Sequence, residues 1–243
     1  MPVALELSLV MDISPSVDTA EYALQRDGYV AAFNDTSIRS SILSFASSGG
    51  IAVNVVHFSQ GASEAVAWTR LTTSDEIDAF VASLVAMTPV GIRNGTDVYE
   101  GVVGGTSAIT GNAFEGVRKV IDVSGDGTQN VGSPCPDPAP NGTADCPALR
   151  EARDAAAALG ITINGLAIED GTYGSTGLTN WYRDNLRTAD GFVVTAANFQ
   201  DFERAAIQKI GREITGDVPE PASLALAALA LLSAGAARRQ RAR

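Results

Sequence analysis

Three short polar segments carry residues whose types and spacing could do chemistry: Asp12-Ile13-Ser14-Pro15-Ser16, Gly95-Thr96-Asp97 and Ser124-Gly125-Asp126-Gly127. They offer carboxylates and hydroxyls, the oxygen donors that suit a hard divalent cation. They contain no thiol or imidazole of the kind that selects softer metals. The ion to expect is Mg²⁺ or Mn²⁺, of which Mg²⁺ takes about six oxygen ligands and keeps some of them as water. The alternation of Asp12, Ser14 and Ser16 lets one turn present three side chains to a common point. A loop that opens a helix also points backbone N–H groups outward, which favours an anionic ligand beside the metal. Taken singly, each residue has a plainer reading. Ser16 or Asp18 could cap the helix that follows, Thr96 could cap another, and Asp126-Gly127 is a common turn pair. The joint occurrence, in this order, is the specific signal.

The elements that must position these segments can be read from periodicity. Leu5, Leu7 and Leu9 alternate and run into Val10-Met11, a strand that stops at Asp12. Asp18 and Glu21 stand at capping-box spacing before a helical face of Tyr22, Tyr29, Val30 and Phe33. A β-branched run at 51–58, bounded by Gly49-Gly50, is followed by a hairpin partner at 64–71. Residues 74–87 read as a helix, 88–96 as a polar loop, 97–109 as a helix and 118–124 as a strand ended by Gly125-Asp126-Gly127. Beyond these come a helix at 148–159, a strand at 161–168, a short helix at 179–186, a strand at 192–195 and a helix at 199–214. Such alternation predicts an α/β fold: three layers, doubly wound, with a mainly parallel sheet and one antiparallel edge strand. Open sheets of this kind bind ligands beyond the carboxyl ends of their strands. The three polar segments fall there or lead into helices.

With these residues in this order, the chain resembles a von Willebrand factor A (vWA) domain over about residues 3–215. The stretches SLVMDISPSVDTAEYALQRDGYVAAFND, KVIDVSGDGTQN and ITINGLAIED resemble a bacterial subfamily of these domains. Asp12, Ser14, Ser16, Thr96 and Asp126 match the metal-ion-dependent adhesion site (MIDAS) residue by residue. The resemblance implies that the two serines and the threonine bind the cation directly and that the aspartates act largely through water. It also implies that a carboxylate from a partner completes the shell. Pro15 departs from the pattern, standing where a small residue is usual, and 132–147 look like an insertion beside the third loop. Thr88 is a rival for the threonine ligand, but Pro89 follows it and no helix opens there, so Thr96 is preferred.

Composition narrows the function. The 243 residues carry a net charge of -11, and four of the 17 basic residues are Arg238, Arg239, Arg241 and Arg243. Without the tail from Val218 onward, 13 basic residues face 27 acidic ones, a balance of -14. Such a surface repels phosphate backbones, so nucleic acid is not an expected partner. His57 is the only histidine, in an apolar run, and reads as a packed strand residue. One histidine leaves no plausible Ser-His-Asp triad, so no enzyme is expected. A metal-assisted hydrolase and a scaffold with a non-functional site are the alternatives. Cys135 and Cys146, in C-x10-C spacing within a Pro/Gly-rich loop, read as a disulfide rather than a metal knuckle. Gly104-Gly105 reads as close packing, Trp181 and Tyr182 as core or rim, and Asn141-Gly142-Thr143 as a sequon of little weight in a bacterial protein.

Three parts follow along the chain: a domain at 1–215, a linker at 216–221 and an apolar stretch at 222–237 that ends in the basic cluster. The 16 apolar residues fall short of the ~20 of a comfortable membrane span, and the arginines should stay cytoplasmic. Pro219-Glu220-Pro221, the apolar stretch and the basic end resemble the bacterial PEP-CTERM sorting signal. That resemblance implies transient membrane insertion through a C-terminal helix and cutting by an exosortase-type enzyme, with a plain anchor as the alternative. Export normally needs an N-terminal signal, yet the first strand begins almost at Met1, so an upstream segment is expected to be missing. The expected function is a cation-dependent binding module at the bacterial surface, whose protein or glycan ligand presents a carboxylate.

Overall fold

A computed structural model describes residues 1–216 of the chain. In chain order the strands are β1 (Pro2–Asp12), β2 (Ile51–Phe58), β3 (Ala62–Leu71), β4 (Glu115–Gly125), β5 (Ile161–Ile168) and β6 (Val193–Ala196). They form one sheet in the order β3-β2-β1-β4-β5-β6. Every neighbouring pair is parallel except β2 and β3, which run antiparallel at the edge. The helices are α1 (Thr19–Asn34), α2 (Thr36–Ser44), α3 (Ser74–Ala86), α4 (Val98–Gly111), α5 (Pro147–Ala158), α6 (Gly177–Trp181) and α7 (Phe202–Thr215).

The sheet divides two apolar cores. Leu5, Leu7, Leu9 and Met11 of β1 face one side, where they meet Tyr29 and Phe33 of α1, Phe80 of α3 and Phe202 of α7. Val10 of β1 faces the other side with Ile121 and Val123 of β4, against Val102 of α4, Leu149 of α5 and Trp181 of α6. Burial on both faces is why the central strands read as nearly unbroken apolar runs. Gly104 and Gly105 lie where α4 presses on the sheet. A Cβ on Gly104 would stand 2.3 Å from the Cβ of Ala62, and one on Gly105 would stand 2.9 Å from Val10 Cγ2.

Helix α2 has no counterpart in the sequence reading. Its segment, TSIRSSILS, is rich in serine, whose side chain competes with helical hydrogen bonding. Two things overrule that: the Asp35 carboxylate accepts from Ser37 N and Ile38 N, and Ile38 and Ile42 are buried against the core. The short helix expected at 179–186 is α6, continued by a π turn over Tyr182–Leu186. A 3₁₀ turn at Phe199–Asp201 precedes α7. His57 is fully buried in β2; its Nδ1 accepts from Val90 N at 3.2 Å, and its Nε2 lies 3.4 Å from the Tyr22 hydroxyl. Pro219, Glu220, Pro221 and the apolar stretch lie outside the described residues. Among the described residues, no helix is long and apolar enough to cross a membrane.

Candidate metal centre

The carboxyl ends of β1 and β4 are adjacent in the sheet, with Met11 paired to Ser124, so the loops bearing Asp12 and Asp126 leave side by side. Asp12 is the last residue of β1 and is fully buried. Its Oδ1 accepts from Ser14 N at 2.7 Å and thereby folds the loop back on itself. The Ser14 and Ser16 hydroxyls lie 2.9 Å apart, and Ser16 Oγ donates to Asp126 Oδ1 at 2.9 Å. One hydrogen-bonded chain thus joins the first and third loops. Ser14 and Asp126 are buried in it, whereas Ser16 is exposed and marks the open side.

Thr96 joins from the second loop. It is buried; its N–H donates to Asn130 Oδ1 at 2.8 Å, and its carbonyl accepts from Asn130 N at 2.9 Å. A Cβ on Gly127 would stand 3.1 Å from Thr96 Oγ1, so that glycine leaves room for the hydroxyl beside Asp126. Gly95, at φ +89°, supplies the left-handed turn that aims Thr96 inward. Thr88 is exposed in the preceding loop.

Capping is done by other residues. Asp18 caps α1 in a reciprocal box with Glu21, and Asp97 caps α4 through Glu100 N. The Ser16 and Thr96 hydroxyls are therefore not spent on helix termini.

The electrostatics are those of a site short of positive charge. Asp12 Oδ2 is buried with no hydrogen-bond partner, and so is the hydroxyl of Tyr182. A Cβ on Gly125 would stand 2.8 Å from Asp12 Oδ2 and 2.9 Å from the Tyr182 oxygen, so both groups close on that glycine. Burial, and then the Asp126 charge, push the Asp12 carboxyl up to about 8. Burial pushes Asp126 up to about 6, against the hydrogen bond from Ser16, with Asp170 and Glu21 adding to the rise. The Asp12 and Asp126 carboxyls and the Ser14 and Ser16 hydroxyls are linked here, the Thr96 hydroxyl lies beside Gly127, and one carboxylate oxygen lacks a partner. That donor set fits a hard divalent cation. Among the described residues, no three His, Cys, Asp or Glu side chains gather as a metal cage, so a cation here would depend on the hydroxyls.

The sequence reading missed residues that hold the loops. Arg93 reaches across from the second loop; its Nε donates to Ile13 O at 2.6 Å and its Nη2 to Ser14 O at 3.2 Å and to Val17 O. It also lowers the Asp12 carboxyl. Gln129 ties Tyr99 N to the Asp97 carboxylate. The only sequence signal for these was a lone arginine in a polar loop and amide side chains after Asp126. The 132–147 segment packs on Thr128 of the third loop and on residues 173–176. Cys135 and Cys146 form a disulfide, Asp137 accepts from Thr128 and Tyr173, and Asn141 Oδ1 accepts from Ser175 N and Thr176 N.

A family model described as "Protein of unknown function (DUF1194)" matches residues 2–218. The chain belongs to the DUF1194 family. A second model, the PEP-CTERM protein-sorting motif, matches residues 217–241, and such a motif implies export, surface sorting and exosortase processing. This DUF1194 chain shares the vWA-like fold of several solved structures. Proximal thread matrix protein 1 from the mussel byssus aligns with TM-score 0.60 and 18% identity over 86% of this chain and 47% of that one. The pilus adhesin SpaC from Lactobacillus rhamnosus GG gives 0.60 and 15% over 88% and 30%. The PilB minor pilin from Streptococcus sanguinis gives 0.60 and 16% over 90% and 64%. The DUF1194 chain therefore spans less than two thirds of each of these proteins. One structure of the mussel protein has a zinc-occupied MIDAS motif. No curated protein matches the chain in sequence.

Proposed function

We propose that this DUF1194 protein is an exported binding module that engages a partner through a divalent cation. Asp12, Ser14, Ser16, Thr96 and Asp126 would hold Mg²⁺ or Mn²⁺. When bound, the cation supplies a Lewis-acidic position for an oxygen of a partner's carboxylate, on a protein or a glycan. The observation that carries this reading is Asp12 Oδ2, a buried carboxylate oxygen without a protein partner among hydroxyls that are not used as caps. The chain's own residues shape the site. Asp12 folds the first loop through Ser14 N, Arg93 clamps that loop to the second, and Asn130 fixes Thr96.

The zinc-occupied MIDAS of the mussel protein and the adhesin and pilin relatives in fold support the same reading. A binding role rather than catalysis is favoured by the state of His57. Its imidazole is buried, partnered, and held down to about 4 by desolvation, so it is a poor general base. Calorimetric titration with Mg²⁺ and Mn²⁺ tests the site: one strong event is expected for the wild type and none for Asp12→Ala. Equal binding by both proteins would refute the assignment. A pull-down from the producing organism's envelope, with and without Mg²⁺, then tests for a cation-dependent partner.

A further inference from the structure

The densest group of ionisable side chains away from the metal centre lies inside the core between α7 and β4. Lys209 is fully buried, with its Nζ 2.5 Å from Asp122 Oδ1 and 2.6 Å from Glu213 Oε1. Asp122 is also fully buried, and Glu213 is 2% exposed. Asn164 Nδ2 donates to Glu213 Oε1 at 2.9 Å and so fixes that carboxyl beside the amine. The ring of Phe192 lies 6.0 Å from Nζ, and Tyr29 and Phe202 stack edge to face in the same apolar core. Asp122 Oδ2 and Glu213 Oε2 are buried with no hydrogen-bond partner.

Two carboxyl groups and one amine cannot all be ionised here without leaving an uncompensated charge in a dry core. Burial and the Asp122 charge push Glu213 up to about 8, so at neutral pH it stands as the acid and holds the extra proton. The group then combines what an amide condensation needs. An amine is held against a carboxyl with little freedom, water is excluded from the site, and a neighbouring acid can relay protons.

We infer that Lys209 Nζ and Asp122 Cγ join in an intramolecular isopeptide bond, with Glu213 as the proton relay. The Lys209 ammonium passes a proton to the Asp122 carboxylate, which leaves a neutral amine beside a carboxylic acid. The Nζ lone pair attacks Cγ, and Glu213 accepts a proton from nitrogen while giving its own to the departing Asp122 oxygen. The C–O bond breaks and that oxygen leaves as water. The products are one secondary amide and one water molecule, Glu213 ends protonated as it began, and no oxidant or other co-reactant is consumed. Condensation also replaces two buried charges with a neutral amide, which removes their desolvation cost. The bond ties α7 to a central strand. Because α7 is the helix that hands over to the sorting motif at 217–241, the bond secures the end of the domain through which the tail departs.

The test is an intact-mass measurement on the purified full chain, after disulfide reduction and incubation near neutral pH. The expected result is a mass lower than the sequence mass by one water. Tandem spectra of a digest should link a Lys209 peptide to an Asp122 peptide. Glu213→Gln should show the full mass while keeping its circular dichroism spectrum. A folded wild type that retains the full mass overturns the inference, whatever the variants do. Loss of ammonia instead of water, with Lys209 linked to Asn164, overturns the choice of Asp122. A Glu213→Gln protein that cross-links as completely as wild type overturns the relay.

Discussion

Replacing Asp12 by asparagine should make the cation-free domain more stable at neutral and higher pH, although the residue is central to the site. Asparagine keeps an oxygen to accept from Ser14 N and replaces the ionisable Oδ2 with an amide nitrogen that does not titrate. The carboxyl of Asp12 is pushed up to about 8 in the folded chain, from an ordinary 3.8. Between those values the unfolded chain has released a proton that the folded chain still holds. Stability from this group is therefore complete below about pH 4 and is lost as pH rises through about 8. The slope is about 1.4 kcal/mol per pH unit, so raising pH from about 5 to about 7 should cost wild type roughly 3 kcal/mol. For a domain of this size that corresponds to a fall in Tm of roughly 6–12 °C. Other groups also titrate, Asp126 among them, so the quantity to read is the difference between wild type and Asp12→Asn. Thermal melts across this pH range, in chelator and in Mg²⁺, supply it. In chelator, the variant should gain on wild type at every step upward. Mg²⁺ should flatten the wild-type slope and leave the variant unmoved. Parallel curves for the two proteins in chelator, or an equal Mg²⁺ shift in both, would refute the reasoning.

Arg93→Ala removes a guanidinium that donates to Ile13 O, Ser14 O and Val17 O. Charged hydrogen bonds are each worth roughly 1.5–3 kcal/mol, so cation affinity should fall at least about tenfold in calorimetry, with the far-ultraviolet spectrum unchanged. Opening the Cys135–Cys146 disulfide, which closes a separation of 11 residues, should lower stability by about 2–3 kcal/mol in chemical denaturation. The loss should not be larger, because Asn141 and Asp137 still hold the 132–147 segment on the 173–176 segment. In the native host the mature C-terminus should lie close to Pro219-Glu220-Pro221, as read by intact mass. A membrane-bound species that retains Arg243, in a host with the processing enzyme, would leave the plain anchor.

Much of this protein was legible in one dimension because its signals are local or periodic. Leu5, Leu7 and Leu9 gave a strand, the capping box at Asp18 and Glu21 gave the start of α1, and strands alternating with helices gave a parallel sheet with β3 antiparallel at its edge. The spacing Asp12-x-Ser14-x-Ser16 was readable because one turn delivers it. Helix α2 was not, since a serine-rich segment becomes helical here only through the Asp35 cap and the burial of Ile38 and Ile42. The sequence could nominate Ser16 and Thr96 as ligands or as caps but could not choose between the two. Tertiary structure gives the caps of α1 and α4 to Asp18 and Asp97, so neither hydroxyl serves as a cap. The contact of Ser16 with Asp126 and the reach of Arg93 to Ile13 join residues 110 and 80 positions apart. The buried triad of Asp122, Lys209 and Glu213 likewise exists only where β4 meets α7. No window of sequence contains such pairs, because the packing of distant elements in the folded chain sets which side chains meet and how little water remains between them.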